Sequence, residues 1–161
     1  MSTALITEKL TTDLLALTFA NSSLIHPNVR MHYAANTMQP LDCIISMAGI
    51  SENTEGASAG NQATTRQIGY ELYCYETLES TASDAAADTK MKRLMNVLDA
   101  WQNYLQKEPN NLRGWGASNS LALHKIRLSG GGISTLATEN GIAAVLRLPF
   151  TVFLNVIPQT L

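Results

Sequence analysis

The residue types most often used for chemistry are few in this chain and stand far apart. The three histidines are His26, His32 and His124. None of them has a metal-ligand spacing to a cysteine or carboxylate, and His124 lies in an alternating segment where a packing role is favoured over a ligand or base. His26 and His32 flank one connector, and we expect no joint site there. The sequence therefore predicts no catalytic, metal or cofactor site.

The cysteines, the glycine run and the two neighbouring glutamates give equally weak chemical signals. Cys43 and Cys74 fall in predicted strands without further ligands nearby, which favours two buried, reduced thiols. The glycines at 130–132 follow a strand, whereas a phosphate-binding loop leads into a helix, so a turn is favoured. Glu52 and Glu55 lie in a predicted loop with no apolar wall to raise a carboxyl pKa, so we expect no acid–base catalysis.

The composition points away from nucleic acid and membranes and towards protein partners. The chain has 161 residues, a net charge of -2 and only 15% charged residues, against roughly 25% in ordinary soluble domains. A surface with few charges is easier to desolvate and suits broad protein interfaces. No run is long enough to span a membrane, and the first residues lack the basic start of a secretion signal. We expect a single domain over residues 1–161 and synthesis in a reducing cytosol.

Hydrophobic periodicity predicts two helices and about four main strands. Apolar residues at three- and four-residue steps indicate helices over residues 4–20 and 90–107. The apolar stripe of the second helix consists of Met91, Leu94, Met95, Leu98, Trp101 and Leu105. Predicted strands cover residues 41–47, 66–76, 119–128 and 142–157. This order predicts an α+β fold, with an antiparallel or mixed sheet packed against two helices.

The segments between these elements are expected to be irregular. Residues 24–39 form a connector, and residues 129–141 form a glycine turn followed by a polar excursion. Residues 48–65 are small and polar, and the stretch is unusually long for a loop of a compact domain. We expect it to be a flexible functional loop or a segment that a partner orders. The helices should cover one face of the sheet, and the other face, which is rich in tyrosine, needs cover that the chain does not supply.

The final predicted strand is the longest, since most strands have roughly 5–6 residues. Pro149 within it cannot donate a hydrogen bond, so it marks an edge, a bulge or a change of pairing partner. We expect the first half to close the chain's own sheet and the part beyond Pro149 to pair with a neighbouring subunit. The candidate interface residues are Phe150, Val152, Phe153, Leu154 and Trp115.

The organisation of the chain resembles that of the tail terminator proteins of long-tailed bacteriophages, over nearly its whole length. The resemblance implies a hexameric ring that caps the tail tube, stops its polymerisation and joins it to the neck. The implied partners are the tube protein, the neck protein and, in contractile tails, the sheath protein. The residues that carry the resemblance are Leu10, Leu14 and Leu17 of the first helix, the strand at 68–73, Leu94, Leu98 and Trp101 of the second helix, and the segment 146–150.

The same resemblance implies a virion protein that is made in the host cytoplasm and that lets DNA pass through the ring without specific binding. It brings no catalytic motif, so no functional residue is carried over. A loop facing the lumen should be neutral or acidic, because cationic contacts would retain the DNA. Glu52 and Glu55 are the candidates for such a loop.

Two alternatives to a tail terminator remain open. One is another structural protein of the neck, tail or baseplate. The other is a small-ligand-binding domain, or an enzyme, that uses the sheet as the floor of its site. A size measurement separates them, because a terminator should form a ring, whereas a ligand binder should be a monomer with an apolar pocket.

Overall fold

The fold is α+β, as the sequence predicts. A computed structural model describes residues 3–32, 38–53, 64–79, 83–106, 121–139 and 141–156. Within these ranges, two helices pack on one face of a six-stranded mixed sheet, where about four strands were expected. The helices are α1 (Thr3–Leu15) and α2 (Asp84–Gln106). The strands are β1 (Val29–Arg30), β2 (Cys43–Asn53), β3 (Thr64–Glu79), β4 (Leu121–Leu128), β5 (Gly132–Thr138) and β6 (Gly141–Val156).

The sheet is organised around β6, which lies inside it. The strand order is β1-β2-β3-β6-β4, and β5 pairs with β6 beyond the end of β4. β1 is parallel to β2, and every other pair of described strands is antiparallel. β3 pairs with β6 over its whole length, while β4 pairs with residues 150–156 and β5 with residues 141–147 on the opposite side. β4 and β5 therefore act as one interrupted strand along β6.

The interruption between β4 and β5 lies beside Pro149. The Ser129 N–H donates to the Pro149 carbonyl at 3.0 Å, and the partner of β6 changes around this point. A Cβ at Gly131 would lie 2.9 Å from the Arg147 carbonyl oxygen, which is backbone, so only glycine fits there without a backbone shift. Of the three roles predicted for Pro149, the change of partner is the one found. The expected pairing of residues 150–156 with a neighbouring subunit is wrong, because β3 and β4 occupy both of their edges.

The core lies between the helices and one face of the sheet. Tyr70 of β3 stacks on Phe150 of β6 with ring centroids 5.4 Å apart. One hydrogen bond ties α1 to this layer, since Thr7 Oγ1 lies 3.0 Å from the Tyr70 hydroxyl, and another joins the two helices, since the Tyr104 hydroxyl donates to Asp13 Oδ2 at 2.6 Å. The helices contribute Ile6, Leu10, Leu14, Leu94, Val97, Trp101 and Leu105, all buried.

Both helices differ from their predicted bounds for local reasons. α1 ends at Leu15 because the chain folds back, with the Ile25 N–H donating to the Leu17 carbonyl at 3.0 Å. α2 begins at Asp84, where the Ser83 hydroxyl accepts the Ala86 N–H at 3.2 Å and caps the helix. The buried stripe of α2 includes Val97, whereas the predicted Met95 is 50% exposed and the stripe is rotated accordingly.

Three stretches predicted to be irregular contain strands. β1 lies in the connector 24–39, and β5 lies in the excursion 129–141. β2 continues to Asn53 and β3 starts at Thr64, so the predicted loop 48–65 is largely strand within the described residues. Residues 54–63 of that loop, which include Glu55, lie outside the described residues, as does Trp115. No helix among the described residues is long and apolar enough to cross a membrane.

Candidate functional site

The face of the sheet opposite the helices, which we call the open face, is the candidate functional surface. Alternation along β3 and β6 puts Tyr73, Tyr75, Val145 and Phe153 on it, each half-buried. In the described part of the chain both helices pack on the other face, so none covers the open face. The prediction of a tyrosine-rich face without helical cover agrees with this arrangement.

One end of the open face forms a groove of about 700 Å³. Ile44 of β2, Tyr73 and Tyr75 of β3 and Val145 of β6 form its floor. The strand β5 rises along one side with Leu136, which is 57% exposed. Met31, which follows β1 and is 53% exposed, lies on the other side together with His32 and Met38. The groove is thus a shallow apolar depression that is wide enough for side chains of a partner.

A polar cluster of three side chains lies beside the groove. Tyr73 is directly opposite Arg147 in the β3–β6 ladder, and both donate hydrogen bonds to the carboxylate of Glu71. The hydrogen bond from Arg147, followed by that from Tyr73, lowers the pKa of Glu71. The hydrogen bond to Glu71 in turn raises the pKa of Tyr73. A carboxylate that is already occupied by two donors is a poor general base, and a phenol held protonated is a poor nucleophile.

The other end of the open face contains two glycines side by side, next to Thr151 and Phe153 of β6. Gly49 of β2 lies directly opposite Gly69 of β3, and Gly69 lies opposite Thr151 of β6. A Cβ at Gly49 would meet nothing within 4 Å. Bare backbone lets another protein surface approach closely, so this end can accept a flat partner.

His26 lies inside the core and serves structure. Its side chain is 0% exposed, and its Nδ1 donates to the Leu41 carbonyl at 2.7 Å. Its Nε2 accepts the Trp101 indole N–H at 2.9 Å, which fixes the neutral tautomer. Burial is the main cause that lowers the pKa of His26, against smaller opposing effects of the Leu41 carbonyl and Asp42. Both ring nitrogens are occupied, so His26 cannot act on a ligand.

A strained turn supports this histidine. Leu41 is buried and has a φ of 69°, in the left-handed region that favours glycine. Its N–H donates to the Tyr75 carbonyl at 2.9 Å, and its carbonyl accepts His26. Asp42, also buried, accepts the Gln39 N–H at 2.9 Å and the Asn28 amide at 3.1 Å. These bonds hold the connector against β3, below the end of the groove.

The residues singled out from the sequence are dispersed. Phe150, Val152 and Leu154 are at most 1% exposed and belong to the core, so they are not available to a partner. Phe153 lies on the open face, and Glu52 lies near the end of β2 opposite Arg66 of β3 in register.

Cys43 and Cys74 are buried and free, as predicted, and burial raises the pKa of both thiols. The open-face residues that the sequence analysis did not name as candidates are Ile44, Tyr73, Tyr75, Leu136, Val145 and Arg147. The alternation of β3 was the signal that could have found the two tyrosines, whereas Leu136 required knowledge that β5 is a strand.

The described residues contain no group of three or more histidine, cysteine or acidic side chains that could hold a metal ion. No protein-family model matches the chain, and no curated protein matches it in sequence. The functional argument therefore rests on the open face and on the charge and packing of its residues.

Proposed function

We propose that this chain is a structural subunit of a bacteriophage tail that acts as a tail terminator. In this role it forms a ring on the tail tube, stops tube growth and joins the tube to the neck, with the sheath as a further partner in contractile tails. The role is non-enzymatic and needs no cofactor. The finished protein resides in the virion, and DNA crosses the ring without specific binding.

The open face is the observation that carries the proposal. It is a broad surface with a shallow apolar groove at one end and a pair of adjacent glycines towards the other. Arg147 and Glu71 on this face neutralise each other in an ion pair, and Arg127 is a further charged residue of β4 level with Thr151. A surface of this kind loses little hydration free energy when another protein covers it. The low charge of the whole chain, 15% of residues, supports the same use.

The polymerisation of the tube is the direct test. Tube protein from the same viral genome is assembled with and without this chain, and tube lengths are measured by electron microscopy. We expect shorter tubes with additional density at one end. Unchanged lengths and bare tube ends would contradict the proposal.

A matched pair of variants tests whether the open face is the surface involved. Leu136→Asp places a charge at the groove, where the native side chain is 57% exposed. Met95→Asp places the same charge on the outer side of α2, where the native side chain is 50% exposed. Both should fold, and only Leu136→Asp should lose its effect on tube length by at least about tenfold in the concentration required.

The groove also supports a second candidate function, the binding of a small apolar ligand. Its volume of about 700 Å³ is within the roughly 300–1,000 Å³ usual for ligand sites. Native mass spectrometry of the purified chain tests this candidate: a bound small molecule that is lost in Val145→Asp, in a chain that stays monomeric, would favour a ligand binder over a tail protein.

A further inference from the structure

The sheet has two outer edges that run in opposite directions. β1 pairs with β2 only at Cys43 and Ile44, and among the described strands β3 alone pairs with the rest of β2. At the other side of the sheet, β4 pairs only with β6 among the described strands. Because β2, β3, β6 and β4 are successively antiparallel, β2 and β4 point in opposite directions. The β2 edge of one molecule can therefore lie antiparallel to the β4 edge of another.

The two edges also lie at the same height in the sheet. The ladders place Ile50 level with Ile68, Val152 and Ile126, in a row that crosses all four strands. A second row contains Met47, Tyr70, Phe150 and Leu128. The strand β5 lies level with Ile44, where β1 already pairs with β2. The matching parts of the edges are thus β2 from Ile45 onward and β4.

Both rows are apolar throughout, yet they end in exposed side chains on β2 and in half-buried side chains on β4. The inner members Ile68 and Val152 are 0% exposed, and Tyr70 and Phe150 are 1% exposed. At the β2 end, Met47 is 53% exposed and Ile50 is 49% exposed. At the β4 end, Ile126 and Leu128 are half-buried. Residues directly opposite in an antiparallel pair share a face, so a second molecule placed level continues each row with another apolar side chain.

The β2 edge has one of the usual protections against strand addition, a β-bulge between Met47 and Gly49, but it has little protection by charge or proline. From Ile45 to Asn53 its only charged residue is Glu52, and it contains no proline. Arg127 of β4 stands opposite Thr151, which belongs to the open face, so it does not interrupt the two apolar rows. An edge of this kind is a site for pairing with another chain.

We propose that the β2 edge of one copy of this chain pairs antiparallel with the β4 edge of the next, with Ile50 opposite Ile126 and Met47 opposite Leu128. The contact uses a different surface on each partner, so repetition closes a ring when the rotation per copy allows it. This inference deepens the proposed function by naming the seam of the ring, and it leaves the open face of every copy available for other partners.

Disulfide trapping tests the seam. Within one molecule, Ile50 and Ile126 are separated by three strand spacings, about 14 Å, which is beyond the roughly 7 Å limit for a disulfide. The double variant Ile50→Cys, Ile126→Cys should therefore give a ladder of covalent oligomers under mild oxidation. A mixture of the two single variants should give covalent dimers only. The native thiols are buried, so the unaltered chain serves as the blank.

Two controls distinguish this seam from other contacts between copies of the chain. Ile50→Cys alone should not cross-link, and a strong dimer from that variant would show two β2 edges meeting about a two-fold axis and overturn the proposal. The pair Ile50→Cys, Leu136→Cys uses a position on β5 that is more exposed than Ile126, and it should still give at least about tenfold less product than the double variant. Equal yields from the two pairs, or no ladder at all, would also overturn the seam.

The same experiment separates the seam from the function. Rings seen by electron microscopy without cross-links in the double variant would reject the seam and leave the proposed terminator role standing. A cross-linked ladder from a chain that does not affect tube length would support the seam and reject the role.

Discussion

Adjacent residues of β6 belong to two different environments. Phe150, Val152 and Leu154 contact the helix layer and are at most 1% exposed, whereas Thr151 and Phe153 between them lie on the open face. The first set determines whether the chain folds, and the second lies on the face turned away from the helices. Stability and assembly can therefore be changed separately by substitutions one residue apart, and each prediction below tests that separation.

The largest effect is expected from removing an aromatic ring of the core. Phe150→Ala should lower the free energy of unfolding by about 3–5 kcal/mol, through the lost burial and the cavity against Tyr70. Thr151→Ala, its neighbour on the open face, should change it by no more than about 0.5 kcal/mol. Denaturant titration measures both. Similar costs for the two variants would mean that the open face is covered as fully as the core.

The next largest effect concerns the link between α2 and the connector. Trp101→Phe keeps an aromatic ring but removes the N–H that His26 accepts. A buried acceptor without its partner should cost about 1–3 kcal/mol of unfolding free energy. Leu98→Phe is a control on the same helix, because Leu98 is only partly buried and touches no such bond. A Trp101→Phe variant as stable as the unaltered chain would show that the hydrogen bond contributes nothing.

The same histidine predicts a pH dependence of stability. Burial lowers the pKa of His26 below its ordinary value of 6.5, so the unfolded chain binds a proton that the folded chain resists. Above pH 6.5 His26 is neutral in both the folded and the unfolded chain, so it does not make stability depend on pH. Below pH 6.5 the unfolded chain takes up the proton first, so the free energy of unfolding falls as the pH drops towards the pKa of the folded state. His26→Gln should show a shallower loss between pH 7 and 5 in matched titrations. Parallel curves for the two proteins would exclude His26 as the cause.

The smallest changes in stability should come from breaking ion pairs, and the change should be larger on the core face of the sheet than on the open face. Glu76 on the core face is 2% exposed and pairs with Arg93 at 3.1 Å. Arg93→Ala leaves that carboxylate without its partner and should cost about 1 kcal/mol, the low end for a charged acceptor because Arg93 is 48% exposed. Arg147→Ala removes the partner of Glu71 on the open face and should not change the denaturation midpoint measurably. A larger cost for Arg147→Ala than for Arg93→Ala would contradict the comparison of the two faces.

The parts of the fold that could be predicted are those with one buried side. α1 and the long alternation of β6 were visible because burial on one face leaves a period in the sequence. β5 was not visible, since Ile133 is its only residue that is not exposed. Its strand conformation comes from pairing with β6, and such pairing leaves no apolar period. The extension of β2 through Gly49 to Asn53 has the same origin, because pairing with β3 overrides the small, polar composition.

The candidate site could be predicted only in outline. The tyrosines of β3 indicated a second face of interest, but the groove also needs Met31 and Leu136, which come from segments without a periodic signal. The residues beyond Pro149 were assigned to an interface because the strand is long. The structure uses that length for two successive partners on one edge of β6, and among the described strands the outer edges belong to β2, with β1 along its start, and to β4.

The central position of β6 has a consequence for the order of folding. β5 and β6 form a hairpin of residues that are close in sequence, and such hairpins form in about 1–10 μs. The β3–β6 ladder joins segments separated by all of α2, so its closure is slower. β6 is the last described strand to be synthesised. During synthesis β2 and β3 can pair with each other, but the central strand β6 that pairs with β3 is still missing. The apolar surface of β2 and β3 must wait for β6, and that interval is when this chain is most exposed to aggregation and to the chaperones of the cell that makes it.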